Sequence, residues 1–482
     1  MTLLDSPDVR SGVRVPPTIR LEDLLAATGG RLLGPGPAAS FSFTGASVDS
    51  RRITPGSVYV ALRGERVDGH AFIADAIRAG AVAAIVERPV ELPDDIRHAP
   101  QVVVADSLRA LQDLAAWWRS RHPVRVVGIT GSTGKTIAKE ITADVASRAL
   151  TTLRNEGNLN SETGLPMTLL RLEPAHEAAV LEMSMYTVGE IARLAAIARP
   201  EVGVVLAVHP THLERAGSIE RIASAKAELP AALPRDGLAV LNADDGRVAA
   251  MADVTPAEVR TFGLGPTADV RATDVLSHGL TGTEFTVRAP WGTRRLRSGT
   301  PGRHLVPHAL AALAVGERLG VGIDDASEAL AAGSRADHRM AVIASGPGAT
   351  LVDDTYNASP VSVAAALDFL AETPLPAGRR RIAVLGDMLE LGPDEERLHR
   401  EIGARAAESA DVIVTVGQRG AWIGEAASAA GAARVAHAAD AEEAAAVVER
   451  EAAPRVGDVV LLKASRGIGL DRAVDLLRGA AS

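Results

Sequence analysis

Short apolar runs alternate with amphipathic stretches along almost the whole chain, a pattern that predicts strands interleaved with helices. Residues 1–15 are polar and dotted with Pro and Arg, and read as a loose lead-in. From Thr18 to about Ser107 the runs Ser57-Val58-Tyr59-Val60-Ala61-Leu62 and Ala81-Val82-Ala83-Ala84-Ile85-Val86 flank a helical pattern over Ala71 to Ala79. That combination predicts a small α/β unit. Leu108 to His122 reads as an amphipathic helix whose Trp117-Trp118 pair packs between domains. Beyond it, Ala179-Val180-Leu181, Val202-Gly203-Val204-Val205-Leu206 and Leu238-Ala239-Val240-Leu241 are strand candidates between helices, as in doubly wound folds. Between about 260 and 300 the pattern shortens to β-like segments, a hairpin insert. From Ala341 a third series begins, with Ile382 to Leu385, Val412 to Val416 and Val459 to Leu462 as parallel strands. The Ala/Glu-rich segment 438–453 reads as a solvated helix.

The fold class expected is therefore α/β in three domains, in line with a length of 482 residues. Residues 1–108 form a small N-terminal domain, 109–335 a central doubly wound domain, and 336–482 a C-terminal Rossmann-like domain. One stretch gives the central domain its chemistry. Thr130-Gly131-Ser132-Thr133-Gly134-Lys135-Thr136 follows the apolar run Val124 to Ile129 and precedes Ile137-Ala138-Lys139-Glu140-Ile141, the start of a helix. A buried strand, a small-residue turn and a helix N-terminus make an anion cradle. In it backbone N–H groups converge on phosphate oxygens, Lys135 supplies a point charge, and the Thr136 hydroxyl reaches a magnesium ion. Position 129 is Ile, so the loop fits the shorter T-G-x-x-G-K-T form.

Composition narrows the reading further. Lys+Arg number 51 and Asp+Glu 60, a formal charge of −9 without a basic stripe, so nucleic acid is not an expected partner. Phosphate affinity must come from local geometry. The absence of cysteine removes disulfides, thiolate metal sites and a Cys nucleophile. No apolar run approaches the length of a membrane span, and no signal pattern opens the chain, so no membrane insertion and a cytoplasmic location are expected. A phosphate loop needs a metal, and Glu182 ends an apolar run at the sheet edge where such folds bind ligands. Downstream, Val208-His209-Pro210-Thr211-His212-Leu213-Glu214 follows another strand, and Lys226 lies on the helix after it. A lysine buried there would be held neutral and could react with carbon dioxide, giving an anionic carbamate.

Further motifs fall along nearly the whole length. They are Val48-Asp49-Ser50-Arg51, Asp68-Gly69-His70, Gly157-Asn158-Leu159-Asn160, Gly164-Leu165-Pro166 and Glu182-Met183-Ser184-Met185-Tyr186. Asp353-Asp354-Thr355-Tyr356-Asn357-Ala358-Ser359-Pro360, Gly386-Asp387-Met388-Leu389-Glu390-Leu391-Gly392 and Lys463-Ala464-Ser465-Arg466 complete the set. With them the chain resembles the Mur ligases, which make amide bonds in bacterial cell-wall precursors. It is most similar to the branch that joins D-alanyl-D-alanine to UDP-N-acetylmuramoyl-tripeptide. The D-N-P-R signature of the branch adding the third residue is absent.

The resemblance implies a site. Gly131, Ser132, Thr133, Gly134, Lys135 and Thr136 would hold ATP, with His304, His308 and Asp354 on the adenosine side and Arg339 near the terminal phosphate. Thr136 and Glu182 would carry one magnesium, and His212 and Lys226, the latter matching a lysine that can be carbamylated, a second. Lys135, His212, Lys226 and Arg339 would be the catalytic groups. Ser50, Arg51, Asp68, Gly69, His70, Asn158 and Asn160 would serve the UDP substrate, and Tyr356, Asn357 and Lys463 the closing C-terminal domain. A monomer is expected. Four places depart from the family pattern. Leu206-Ala207-Val208-His209-Pro210 stands for Thr-Asn-Val-Gly-Pro, His308 for an asparagine, Ser161 and Thr163 for Asn and Ile, and Ser359 for an asparagine.

Overall fold

The computed structural model describes residues 18–33, 41–64, 67–210, 217–334, 336–346 and 348–479. These form two compact units. One comprises residues 1–123 with 162–176, the other 124–161 with 177–482.

The first unit is built on a five-stranded sheet in the order Arg31–Leu33, Gln101–Val103, Ala83–Val86, Val58–Val60, Ala46–Ser47, parallel except at its first pair. Val58 to Val60 and Ala83 to Val86 are buried along their whole length, as parallel strands covered on both faces require. The helical pattern near residue 71 resolves into a short 3-10 turn, Gly69–Phe72, running into the helix Ile73–Arg78. Asp106 caps the helix Ser107–Ser120 through the Arg109 N–H. Trp118 is turned inward there, its indole N–H donating to the Leu172 carbonyl at 3.1 Å.

The second unit carries two sheets. In the nine-stranded one the order is Gly292–Ser298, Thr283–Ala289, Val270–Ser277, Glu258–Gly263, Leu238–Asn242, Val202–Val205, Arg125–Thr130, Ala178–Glu182, Thr152–Arg154. The strand feeding the phosphate loop thus lies between Ala178–Glu182 and Val202–Val205, parallel to both. The expected hairpin insert is the antiparallel end of this same sheet, where alternate residues Phe285 and Val287 face the core. Behind the loop the helix Lys135–Ala146 packs on Val306–Leu319. A Cβ at Gly316 would come within 2.8 Å of Val145 Cγ1, so glycine sets how near the two helices lie.

The second sheet has the order Ala341–Ala344, Thr350–Asp353, Val459–Lys463, Arg381–Gly386, Val412–Val416, Val435–Ala438, parallel but for its first pair. One local expectation is corrected. The Ala/Glu-rich segment is not simply solvated: Ala441–Val447 buries Ala441, Ala444, Ala445 and Val447 and continues as a π-helical turn to Ala452. Alanine spaced at three and four residues is as good a buried stripe as leucine where helix and sheet lie close. Among the described residues no helix is long and apolar enough to cross a membrane.

Candidate functional site

Because the strands Val202–Val205, Arg125–Thr130 and Ala178–Glu182 are parallel and adjacent, Thr130, Glu182 and Leu206 emerge together at one edge. Gly134 adopts φ +79° immediately before the helix at Lys135, which lets the loop turn over the helix N-terminus. The Ser132 hydroxyl donates to the His209 carbonyl at 3.0 Å and accepts from its N–H at 2.9 Å, while the Ser132 N–H donates to the Ala207 carbonyl at 2.8 Å. All these partners are backbone atoms. The departures at Ala207 and His209 therefore leave the stitching of the loop intact.

Lys135 curls over its loop, Nζ donating to the Gly131 carbonyl at 2.8 Å. Burial lowers its pKa, opposed by the pull of Glu182. Thr136 is the meeting point. Its hydroxyl donates to Glu182 Oε2 at 2.8 Å and accepts from Arg339 Nη2 at 2.9 Å. The other carboxylate oxygen of the buried Glu182 accepts from Asn160 Nδ2 at 2.7 Å.

Thr136 and Glu182 offer hard oxygen donors close together. No group of three or more His, Asp or Glu side chains suited to a metal occurs among the described residues. One carboxylate and one hydroxyl fit magnesium, which takes few protein ligands and completes its shell with phosphate and water, better than a metal needing a full protein cage. Lys226, on the helix Ile219–Ala231, is buried without a hydrogen-bond partner among the described residues. Burial first, and the Lys135 charge second, hold its pKa well below the ordinary lysine value. His212 lies outside the described residues.

The later part of the chain supplies the remaining walls. Lys463, buried at the end of its strand, pairs with Asp354 Oδ2 at 2.5 Å and donates to the Asn357 carbonyl at 2.9 Å. Arg339 lies over the Tyr356 ring, 4.2 Å from its centroid. His338 and Met340, on either side of Arg339, have φ of +57° and +51°, a conformation non-glycine residues adopt at a cost. Burial pushes His304 and His308 down to about 4, so both imidazoles are neutral at pH 7.

A cavity of about 560 Å³ gathers these groups. Its lining includes the loop from Ser132 to Thr136, with Asn158, Asn160 and Glu182 on one part, and His304, His308, Arg339, Asp354, Tyr356, Asn357 and Lys463 on the rest. Lys226 and Gly131 are not part of that lining. His209, Leu389, Glu390 and Arg466 also reach the cavity. They were not singled out as site residues in the sequence. Their motifs were visible, but nothing in a linear pattern says which member of G-D-M-L-E-L-G or K-A-S-R turns inward.

The candidate residues of the first unit form two internally bonded turns. Asp49 caps Ser50–Arg52 and accepts from Arg51 Nη2 at 2.8 Å, which lowers its pKa to about 2. Asp68 caps Gly69–Phe72 and accepts a hydrogen bond from His70 Nδ1 at 2.6 Å, while His70 Nε2 accepts from the Glu87 N–H at 3.0 Å. Both ring nitrogens of the buried His70 are thus used to hold the turn.

The parallel sheet, the phosphate loop at its edge and the hydroxyl–carboxylate pair beside it define a phosphate-loop α/β protein. Family models agree along three stretches: the Mur ligase family catalytic domain over residues 42–119, the Mur ligase middle domain over 129–316, and the Mur ligase glutamate ligase domain over 338–466. The chain belongs to the Mur ligase family. The UDP-N-acetylmuramoyl-tripeptide–D-alanyl-D-alanine ligase of Escherichia coli is 38% identical over 408 residues, 83% of this chain and 86% of the relative. That of Mycobacterium bovis is 39% identical over 483 residues, 92% of this chain and 94% of the relative. Among solved structures, MurF from Acinetobacter baumannii superposes with a TM-score of 0.84 at 31% identity, covering 96% of this chain and all of the other. MurF from Thermotoga maritima in complex with ADP gives 0.77 at 30% identity, covering 91% and 98%.

Proposed function

We propose that this chain joins D-alanyl-D-alanine to UDP-N-acetylmuramoyl-tripeptide at the expense of ATP, in the cytoplasmic stage of peptidoglycan precursor synthesis. The observation that carries the reading is the meeting of Glu182 and Arg339 on the Thr136 hydroxyl at the phosphate loop, in one cavity with the Lys463–Asp354 pair. Relatives of that activity align over nearly the full chain.

An amide cannot form directly from a carboxylate, because oxide is a poor leaving group. Transfer of the γ-phosphoryl group to the tripeptide carboxylate gives an acyl phosphate and ADP, and the dipeptide amine then displaces phosphate. In this scheme the loop N–H groups and Lys135 hold the phosphates, and Arg339 faces the charge that develops on the transferring group. Asp354, fixed by Lys463, receives the ribose, with His304 and His308 towards the base. Magnesium held by Thr136 and Glu182 would neutralise charge on the phosphate oxygens. Lys226, whose burial disfavours the charged form, would be suited to become the carbamate that with His212 would hold a second ion. The turns at Ser50-Arg51 and Asp68-Gly69-His70 are assigned to the UDP substrate, His70 acting by holding its turn. Tyr356 and Asn357 close the cavity against water, which would hydrolyse the acyl phosphate. The test is ADP release with ATP, magnesium and the tripeptide substrate, with and without the dipeptide, followed by mass analysis. Dipeptide-dependent release with a UDP-muramoyl-pentapeptide product is expected, and turnover indifferent to the dipeptide would refute the reading.

A further inference from the structure

Behind the phosphate loop lies a group of buried polar side chains that do not line the cavity. Lys139 sits one helical turn beyond Thr136, and its ammonium is fully removed from water. Such a charge is costly unless held. Here Nζ donates to the Asn155 carbonyl at 2.6 Å and pairs with Glu140 Oε1 at 2.5 Å. Glu140 also accepts from Arg154, which reaches Asp144 as well, so the segment Arg154-Asn155 is clamped to the helix carrying Thr136.

Asn155 passes the constraint on. The strand Thr152–Arg154 runs out opposite Val180, two residues before Glu182. On that side Glu182 has no further strand partner, and the fully buried Asn155 side chain takes its place. Its Oδ1 accepts from the Glu182 N–H at 2.9 Å, and its Nδ2 donates to the Glu182 carbonyl at 3.2 Å and to the Leu159 carbonyl at 2.9 Å. The contacts close a ring. It runs from Thr136 along one turn of helix to Lys139, through Asn155 to Glu182, and back to Thr136 through the 2.8 Å hydrogen bond.

We propose that Lys139 and Asn155 are positioning residues that fix the Glu182 carboxylate against the Thr136 hydroxyl and so set the affinity of this oxygen pair for magnesium. The proposal rests on the reading of that pair as the magnesium seat. Asn155 holds both backbone polar groups of Glu182, and Lys139 ties Asn155 to the helix that carries Thr136, so the two residues that supply the oxygens are held to one another through their backbones.

The test is calorimetric titration of ADP at a series of magnesium concentrations and in chelator, on the unmodified chain, Lys139→Met and Asn155→Ala. Asn155→Ala removes the amide while keeping the carbonyl that Lys139 needs, so it decides the matter if Lys139→Met does not fold. The expected result is a magnesium midpoint raised about tenfold in both variants, as for outer partners of other metal ligands, with ADP affinity in chelator little changed. An unmoved midpoint in folded Asn155→Ala overturns the proposal, as does an equal loss with and without magnesium. If the unmodified chain binds ADP without regard to magnesium, the reading of the seat fails, and the proposal with it. That outcome is distinguishable because it appears before any substitution.

Discussion

His308 is packed against Gly134 so closely that a Cβ added to the glycine would lie 1.9 Å from the imidazole Nε2. The glycine is thus required twice, once for its φ of +79° and once for the space that His308 takes. Gly134→Ala should reduce ADP affinity by about 100-fold, since strain and clash both fall on the phosphate loop. The two causes separate in a double variant. Adding His308→Ala should recover about tenfold by relieving the clash and leaving the backbone strain. No recovery would mean that conformation alone excludes a side chain at 134.

The same histidine makes stability depend on pH. His304 and His308 are pushed down to about 4 by burial, against about 6.5 in an unfolded chain. Above pH 6.5 both are neutral in either state and cost nothing. Between 6.5 and 4 the unfolded chain takes up protons that the folded one does not, so stability falls as pH falls through that window. The displacement is worth roughly 3 kcal/mol per histidine at its full extent. Thermal unfolding followed from pH 7 to 4.5 should show Tm dropping. His308→Asn, which restores the family residue and removes one titrating group, should flatten the drop. An equal slope in both proteins would dismiss the assignment.

Much of this architecture was legible beforehand. Fully apolar runs such as Ala178 to Leu181 announce parallel strands buried on both faces, and the register that brings Glu182 beside the phosphate loop follows from their pairing. What could not be read is side-chain direction outside regular elements. Asn155 gives no linear sign that its amide replaces a strand partner, and the Asp68-Gly69-His70 motif does not reveal that both His70 nitrogens are spent locally. Nor does the order of residues show that 162–176 fold with the first unit, since packing across a long separation leaves no local periodicity.

Lys226 offers a chemical test. Its burial and lack of a hydrogen-bond partner among the described residues favour the free amine, which can add to carbon dioxide with loss of a proton. Lys226→Ala should lose most ligase activity, and added formate or acetate should restore part of it by placing a carboxylate where the carbamate would stand. Undiminished turnover of the unmodified enzyme in carbon dioxide-depleted buffer, together with no rescue of the variant, would exclude the carbamate.

Arg339 reaches Thr136 of the phosphate loop while lying over the Tyr356 ring. A lysine could not reproduce both contacts, because a compact ammonium lacks the planar fork that stacks and donates at once. Arg339→Lys should therefore lower kcat by about 100-fold, the scale of losing one donor to a transition-state anion. KM for the UDP substrate should change little, because Arg339 is assigned to the transferring phosphoryl group and not to the UDP substrate. Tyr356→Phe preserves the ring under the guanidinium and should be mild, whereas Tyr356→Ala should approach the arginine variant. Steady-state ADP release measures all three. If Arg339→Lys keeps kcat but raises KM for ATP, Arg339 binds the ground state and gives the transferring phosphoryl group no extra support. If Tyr356→Phe is as damaging as Tyr356→Ala, the hydroxyl and not the stacked ring is what the site uses.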